Sequence, residues 1–273
     1  MDVPTLAGRL VASDPPTVLD VRWSLGGPPG RDAYLDGHIP GAAFIDLDAE
    51  LCGEPGASGR HPLPDPDRLQ EVLRRAGVGQ RRQVVVYDAG DSQAAARLWW
   101  TLKWAGHPDV ALLDGGFAAW VADGRPVEPG EVEPPRGDFV VDPGYLPVLD
   151  AEGAARVARE GTLIDARVAP RYAGEMEPVD PVAGHIPGAV NIPAAQLLGS
   201  DGRFRPPGEL RELFREAGVK GGLVGAYCGS GVTASATVFA LHRAGFPDAA
   251  LYVGSWSEWV ADPSRPVATG GQP

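Results

Sequence analysis

Cysteine is scarce in this 273-residue chain: Cys52 and Cys228 are the only two, far apart and in no CxxC pattern. A disulfide framework and a metal site of zinc-finger type are therefore not expected. Cations are outnumbered as well, 24 Lys and Arg against 36 Asp and Glu, giving a net charge of −12. That balance argues against general binding to nucleic acid or to an anionic membrane. It also means that an anionic small substrate must be captured by local positive groups, because the overall field repels it. No run of about eighteen apolar residues occurs. The opening Met1-Asp2-Val3-Pro4-Thr5-Leu6 has neither a basic n-region nor a long apolar h-region. A reducing cytoplasm is the expected location, and it suits a working thiol.

What is present concentrates around residue 228. Leu223-Val224-Gly225-Ala226-Tyr227 is a short apolar run that delivers Cys228 into Gly229-Ser230-Gly231, and the small-residue segment Val232-Thr233-Ala234 follows at once. A strand, a glycine loop and a helix start in that order aim backbone N–H groups and the positive end of a helix at one sulfur. Such surroundings favour the thiolate, which is the nucleophilic form. The competing reading is a buried structural cysteine acting as a small hydrophobe. That is the reading adopted for Cys52, which has no comparable loop.

The chain also repeats itself. Gly37-His38-Ile39-Pro40-Gly41-Ala42 recurs as Gly184-His185-Ile186-Pro187-Gly188-Ala189. Asp20-Val21-Arg22 matches Asp165-Ala166-Arg167, and Val86-Tyr87-Asp88 matches Ala226-Tyr227-Cys228. Leu113-Asp114-Gly115-Gly116 matches Tyr252-Val253-Gly254-Ser255. The pairs keep their order, so two copies of one domain are expected, over residues 1–126 and 148–273. The Pro-rich stretch between them, 127–147, reads as an extended interdomain linker. In each half an amphipathic helix is marked by Leu69, Val72, Leu73 and Ala76 or by Leu210, Leu213, Phe214 and Ala217, each stopped by a glycine. Val84–Tyr87, 110–113, 223–226 and 249–252 read as buried strands. Alternation of strands and helices implies an α/β fold, each domain a mainly parallel sheet flanked by helices. Ligands in such sheets sit beyond the carboxyl ends of the strands, where Cys228 falls.

These paired segments, with Cys228-Gly229-Ser230-Gly231-Val232-Thr233, resemble the two-domain rhodanese-type sulfurtransferases over nearly the whole chain. The resemblance implies tandem rhodanese-like domains with one catalytic cysteine, in the second. Asp88 stands in its place in the first half, and a carboxylate cannot carry a transferable sulfur, so that half is expected to be silent. The neutral Gly229-Ser230 pair is similar to the group that uses 3-mercaptopyruvate; members preferring thiosulfate place basic residues there. In that group a serine, an aspartate and a histidine relay protons. The resemblance puts these roles on Ser230, on Asp48, ten residues after His38, and on His61 in His61-Pro62-Leu63-Pro64. Substrate carboxylate recognition falls to Arg171, whose guanidinium can bind bidentately. The loop residues Gly229, Gly231, Val232 and Thr233 are expected to bind substrate and stabilise developing charge. Many relatives place a second arginine nine residues after the first. This chain has Asp180 there, so looser carboxylate binding, or another cation supplying the charge, is expected.

The implied activity passes a sulfane sulfur from 3-mercaptopyruvate through a Cys228 persulfide to a thiol such as thioredoxin or a small thiol, or to cyanide. Pyruvate is released, and neither metal nor organic cofactor is required. Thiosulfate sulfurtransferase is the alternative within the class, and a non-catalytic sulfur-binding or scaffold module the alternative outside it. A cysteine phosphatase would need an arginine closing the loop. Ala234 is six residues beyond Cys228, and no Arg or Lys occurs from Cys228 through His242. Arg22, Arg167, His38 and His185 are expected to be structural.

Overall fold

Short runs of branched and small residues become parallel strands in both halves of the chain. A computed structural model describes residues 1–272. In the first half the strands are β1 (Thr17–Asp20), β2 (Ala43–Phe44), β3 (Val84–Tyr87) and β4 (Val110–Leu112). In the second they are β5 (Val148–Leu149), β6 (Thr162–Asp165), β7 (Val190–Asn191), β8 (Val224–Tyr227) and β9 (Ala250–Tyr252). The sheet orders are β2-β1-β3-β4 and β5-β9-β8-β6-β7, and every pairing is parallel. Leaving out the extra edge strand β5, the second order is the first one repeated. Register repeats too: Asp20 lies opposite Tyr87, and Asp165 opposite Tyr227.

The helices of the first half are α1 (Val3–Leu10), α2 (Gly30–Asp36), α3 (Leu47–Glu50), α4 (Pro66–Arg75), α5 (Gln93–Trp104) and α6 (Gly116–Ala122). Those of the second are α7 (Ala151–Glu160), α8 (Ala169–Ala173), α9 (Pro207–Glu216), α10 (Val232–Arg243) and α11 (Ser255–Trp259). The expected amphipathic pair are α4 and α9. Asp65 caps α4 by accepting from the Arg68 N–H, proline opens both helices, and their buried faces carry Leu69, Val72 and Leu73 or Leu210 and Phe214. None of the helices among the described residues is long and apolar enough to cross a membrane.

Each half builds its own core. Val3, Leu6, Val18, Ile39, Val85, Tyr87 and Trp120 form one cluster; Val157, Leu163, Ile186, Tyr227, Tyr252 and Trp256 belong to another. The repeated Asp-x-Arg motifs are structural in both. Arg22 pairs with Asp20 at 2.7 Å and donates to the Gly37 carbonyl; Arg167 pairs with Asp165 at 2.6 Å and donates to the Gly184 carbonyl. His38 and His185 are fully buried, each stacked on a tyrosine, Tyr34 or Tyr172, whose carbonyl its Nδ1 meets.

The chain divides into two compact units that are not contiguous in sequence. The first comprises 1–53, 64–145 and 200–203; the second comprises 54–63, 146–199 and 204–273. The loop carrying His61 thus belongs to the second unit. The stretch expected as a linker, 127–147, belongs up to Tyr145 with the first unit, because its backbone finds partners there. Glu128 forms an antiparallel bridge with His38, Gly137 donates to the Arg74 carbonyl, and Phe139 is fully buried. Gly137 is needed for that approach, since a Cβ there would lie 1.9 Å from the Val78 carbonyl oxygen.

Candidate active site

β8 is buried at all four residues, and its small members let α10 lie close against it. Gly225 has no room to grow: a Cβ would meet Leu149 at 2.7 Å. The strand ends at Tyr227, and the turn to α10 is closed by Gly231, whose φ of 82° is left-handed. Cys228, 2 % exposed, starts the turn, and its sulfur accepts the Gly231 N–H at 3.2 Å. The twelve-residue helix beyond directs its positive end at the same place. One further element, α11, fixes the loop. Trp256 and Ser257 donate backbone N–H groups to the carbonyls of Cys228 and Gly229, and the Cys228 N–H donates to Ser255 Oγ at 3.1 Å. Ser255 is itself strained, a non-glycine residue at φ 54°. Its hydroxyl also donates to the Tyr252 carbonyl at 2.8 Å, so side-chain bonds at both ends hold the conformation.

Beside the cysteine, Ser230 Oγ and His61 Nδ1 are 2.7 Å apart, and both residues are buried. His61 reaches this position because Gly56 and Gly59 close a tight bridge in its loop and the Arg60 N–H donates to Ser257 Oγ at 3.1 Å. Arg171, in the middle of α8, stands over Gly229: both its Nη atoms are 3.7 Å from where a Cβ would be. Its Nε donates to Glu177 Oε2 at 3.0 Å and its Nη2 to Glu177 Oε1. The bidentate fork expected to receive substrate is therefore engaged by the protein's own acid. Burial disfavours the charge on Glu177, but the Arg171 hydrogen bond and the Asp180 and Val179 N–H groups outweigh it and hold the carboxyl below its usual range. Val232 is buried and Thr233 half-buried at the start of α10. Asp48 lies in the first unit, in the first turn of α3, where its Oδ2 accepts the Trp23 indole N–H at 2.8 Å. Among the described residues no cluster of His, Cys, Asp and Glu is placed to hold a metal.

Comparison with known proteins decides the family. Residues 3–123 and 150–262 each match the rhodanese-like domain. The chain belongs to the rhodanese family. It is 50 % identical over 274 residues to a probable 3-mercaptopyruvate sulfurtransferase of Pseudomonas aeruginosa, covering 97 % of this chain and 96 % of the other. It is 47 % identical over 272 residues to a putative thiosulfate sulfurtransferase, SseB, of Mycobacterium tuberculosis, covering 97 % and 95 %. The crystal structure of the 3-mercaptopyruvate sulfurtransferase SseA from Escherichia coli superposes with a TM-score of 0.83 at 33 % identity, covering 94 % of this chain and 98 % of that one.

Within this rhodanese architecture, the sequence marks neither Ser255 nor Arg60 as residues of the site. Ser255 was visible only as the partner of Gly116 in the repeat; nothing in the sequence marks a serine for left-handed backbone. Arg60 carries no motif of its own although it adjoins His61. It forms an ion pair through Nη1 with Asp180, and its Nη2 lies 2.8 Å from the Cβ position of Gly229. The missing second arginine was the available signal, since it called for a cation from elsewhere in the chain.

Proposed function

We propose that the protein is a sulfurtransferase that takes sulfur from 3-mercaptopyruvate, carries it as a Cys228 persulfide and passes it to a thiol or to cyanide. The Cys228 thiolate attacks the donor sulfur. The carbon–sulfur bond breaks with its electron pair going to carbon, leaving the enolate of pyruvate. Ser230 and His61 take the donor thiol proton and return it to that carbon, so the products are pyruvate and the enzyme persulfide. Gly229, Gly231, Val232 and Thr233 stabilise charge around the sulfur, and Arg171 adds positive charge near the carboxylate. Asp48 is assigned to the proton relay on the resemblance alone. The first half is silent because Asp88 replaces the nucleophile. The acceptor is a thiol of the thioredoxin or small-thiol kind, in a reducing cytoplasm that keeps Cys228 free.

The observation that carries this reading is the Ser230–His61 pair, at 2.7 Å, beside a sulfur held at a helix start. A donor whose thiol proton must move to carbon needs such a pair; thiosulfate, which has no such proton to relocate, does not. The two bacterial relatives are named for different donors, so the test is direct. Steady-state kcat/KM measured with each donor is expected to favour 3-mercaptopyruvate by at least about tenfold. A preference for thiosulfate overturns the assignment.

A further inference from the structure

Arg60 and Arg171 both face Gly229, but they offer different edges. In Arg171, Nε and Nη2 are given to Glu177 and Nη2 also to Asp180 at 3.2 Å, which leaves Nη1 toward the loop. In Arg60 the opposite edge is engaged. Nη1 is bound by Asp180, Nη2 approaches Gly229, and Nε is buried with no hydrogen-bond partner. Nε and Nη2 form the side-on fork that matches the two oxygens of a carboxylate. A buried N–H donor without an acceptor is costly, and an incoming carboxylate removes that cost.

The fork is also held in advance. Gly59 lies so close to α11 that a Cβ would be 2.7 Å from the Gly254 carbonyl, and the Arg60 N–H is fixed by Ser257. Asp180 is 3 % exposed at its side chain and accepts from both arginines, so it sets their spacing. Gly229 completes the arrangement, because any side chain there would displace the Arg60 guanidinium.

We propose that Arg60 is the residue that recognises the donor's carboxylate bidentately, with Arg171 as its monodentate companion and Asp180 as the positioning residue for both. This rests on the sulfurtransferase reading and names the chemistry by which that site selects its donor. Asp180, at the place where many relatives carry a second arginine, then anchors a cation brought from the His61 loop. The two arginines are balanced by Glu177 and Asp180, so the site has little net charge of its own. Such a site favours a planar monoanionic carboxylate over a compact dianion, which needs unmatched positive charge.

The test uses two alkylating agents of nearly equal shape, iodoacetate and iodoacetamide, which differ in the carboxylate. Each loses iodide to the Cys228 thiolate, and labelling is read on the Cys228 peptide by mass spectrometry. In Arg60→Gln the ratio of the iodoacetate rate to the iodoacetamide rate is expected to fall about tenfold or more. Arg60→Lys, which keeps the charge and loses the fork, should recover part of that fall. Asp180→Asn should raise KM for 3-mercaptopyruvate even though it removes a negative charge; a lowered KM overturns the positioning role. A ratio within about twofold of wild type in both Arg60 variants overturns the recognition role. Because alkylation needs no sulfur donor, a fallen ratio supports Arg60 even if 3-mercaptopyruvate fails as a substrate, which would overturn only the donor assignment.

Discussion

The loop after β3 and the loop after β8 leave matching strands and end on residues of positive φ, Ser92 at 60° and Gly231 at 82°. Both are docked by the segment that follows the next strand. Phe117 and Ala118 donate to the carbonyls of Asp88 and Ala89 as Trp256 and Ser257 do to Cys228 and Gly229. The frame is common; its occupant is not. Asp88 is buried and takes three backbone N–H bonds itself, from Gly90 at 2.9 Å, Ser92 at 3.1 Å and Ala95 at 3.0 Å. Its loop, 88–92, is one residue longer than 228–231. The Cys228 sulfur accepts the Gly231 N–H, and the guanidinium groups of Arg60 and Arg171 face the adjoining Gly229. Asp88 thus satisfies its cradle from within, and on the proposed function that is the physical reason the first loop would be silent while the Cys228 loop keeps its donors for a reacting sulfur.

The largest effect should come from exchanging the occupants. Cys228→Ser is expected to abolish sulfur loading, lowering turnover by three orders of magnitude or more, because oxygen cannot form the persulfide. Intact mass after treatment with donor alone should show one added sulfur on the wild type and none on the variant. Adding Asp88→Cys to Cys228→Ser is expected to leave the protein unloaded. The longer loop and the absence of a His–Ser pair at Ser92 keep that thiol from the chemistry. A persulfide on residue 88 would break the comparison.

How far the sequence discloses this can be seen residue by residue. Parallel strands, the helices α4 and α9 and the tandem repeat follow from periodicity and from segments that recur in order. Cys228, Ser230 and His61 are legible through motif and resemblance, and the structure pairs His61 with Ser230, two residues from Cys228 in the same loop as the sulfur. Arg171 was legible as a cation near the loop, but its engagement by Glu177 was not, since an acid six residues along carries no sign of its direction. Contiguous boundaries are all that composition can suggest, because it reports local polarity. It cannot report that residues 54–63 leave the first unit, or that Phe139 anchors the supposed linker. Arg60 is the same kind of omission: its role depends on a contact with Gly229, 169 positions away.

A smaller effect is expected at the second point of difference, Gly116 against Ser255. Both sit in the left-handed region, at φ 56° and 54°, but only the serine supplies an acceptor to the loop nucleophile's N–H. Ser255→Ala keeps the strain and leaves the Cys228 N–H without its partner. A loss of about 1–3 kcal/mol in stability and about tenfold in kcat should result. Ser255→Gly loses the same bond but relieves the backbone, so its Tm should lie above that of the alanine variant while kcat falls alike. The reciprocal Gly116→Ser brings a Cβ within 2.6 Å of the Asp88 carbonyl and should lower Tm with no change in sulfur loading. Full kcat in Ser255→Ala would show that the Cys228 backbone is held without this bond.

The finest distinction is one of pH. Burial pushes the Asp88 carboxyl up to about 7, with the charge of Asp91 adding to it and the three N–H bonds opposing. Unfolded, the same carboxyl titrates near its ordinary 3.8. Between these values the folded chain binds the proton that the unfolded chain has released, so stability is highest below about 4 and falls as pH rises through 7. Above that the contribution levels off, because both states are ionised. The slope from this one group is at most about 1.4 kcal/mol per pH unit. Asp88→Asn abolishes the titration; whatever it does to stability by altering hydrogen bonds, it does equally at every pH. Plotted against pH from 4 to 8, the Tm of the wild type should therefore fall more steeply than that of the variant, and the two curves should run parallel above pH 8. Curves parallel throughout would mean that Asp88 is ionised across the range and that the silent cradle holds a full negative charge, making the first loop a closer electrostatic copy of the thiolate site than its burial implies.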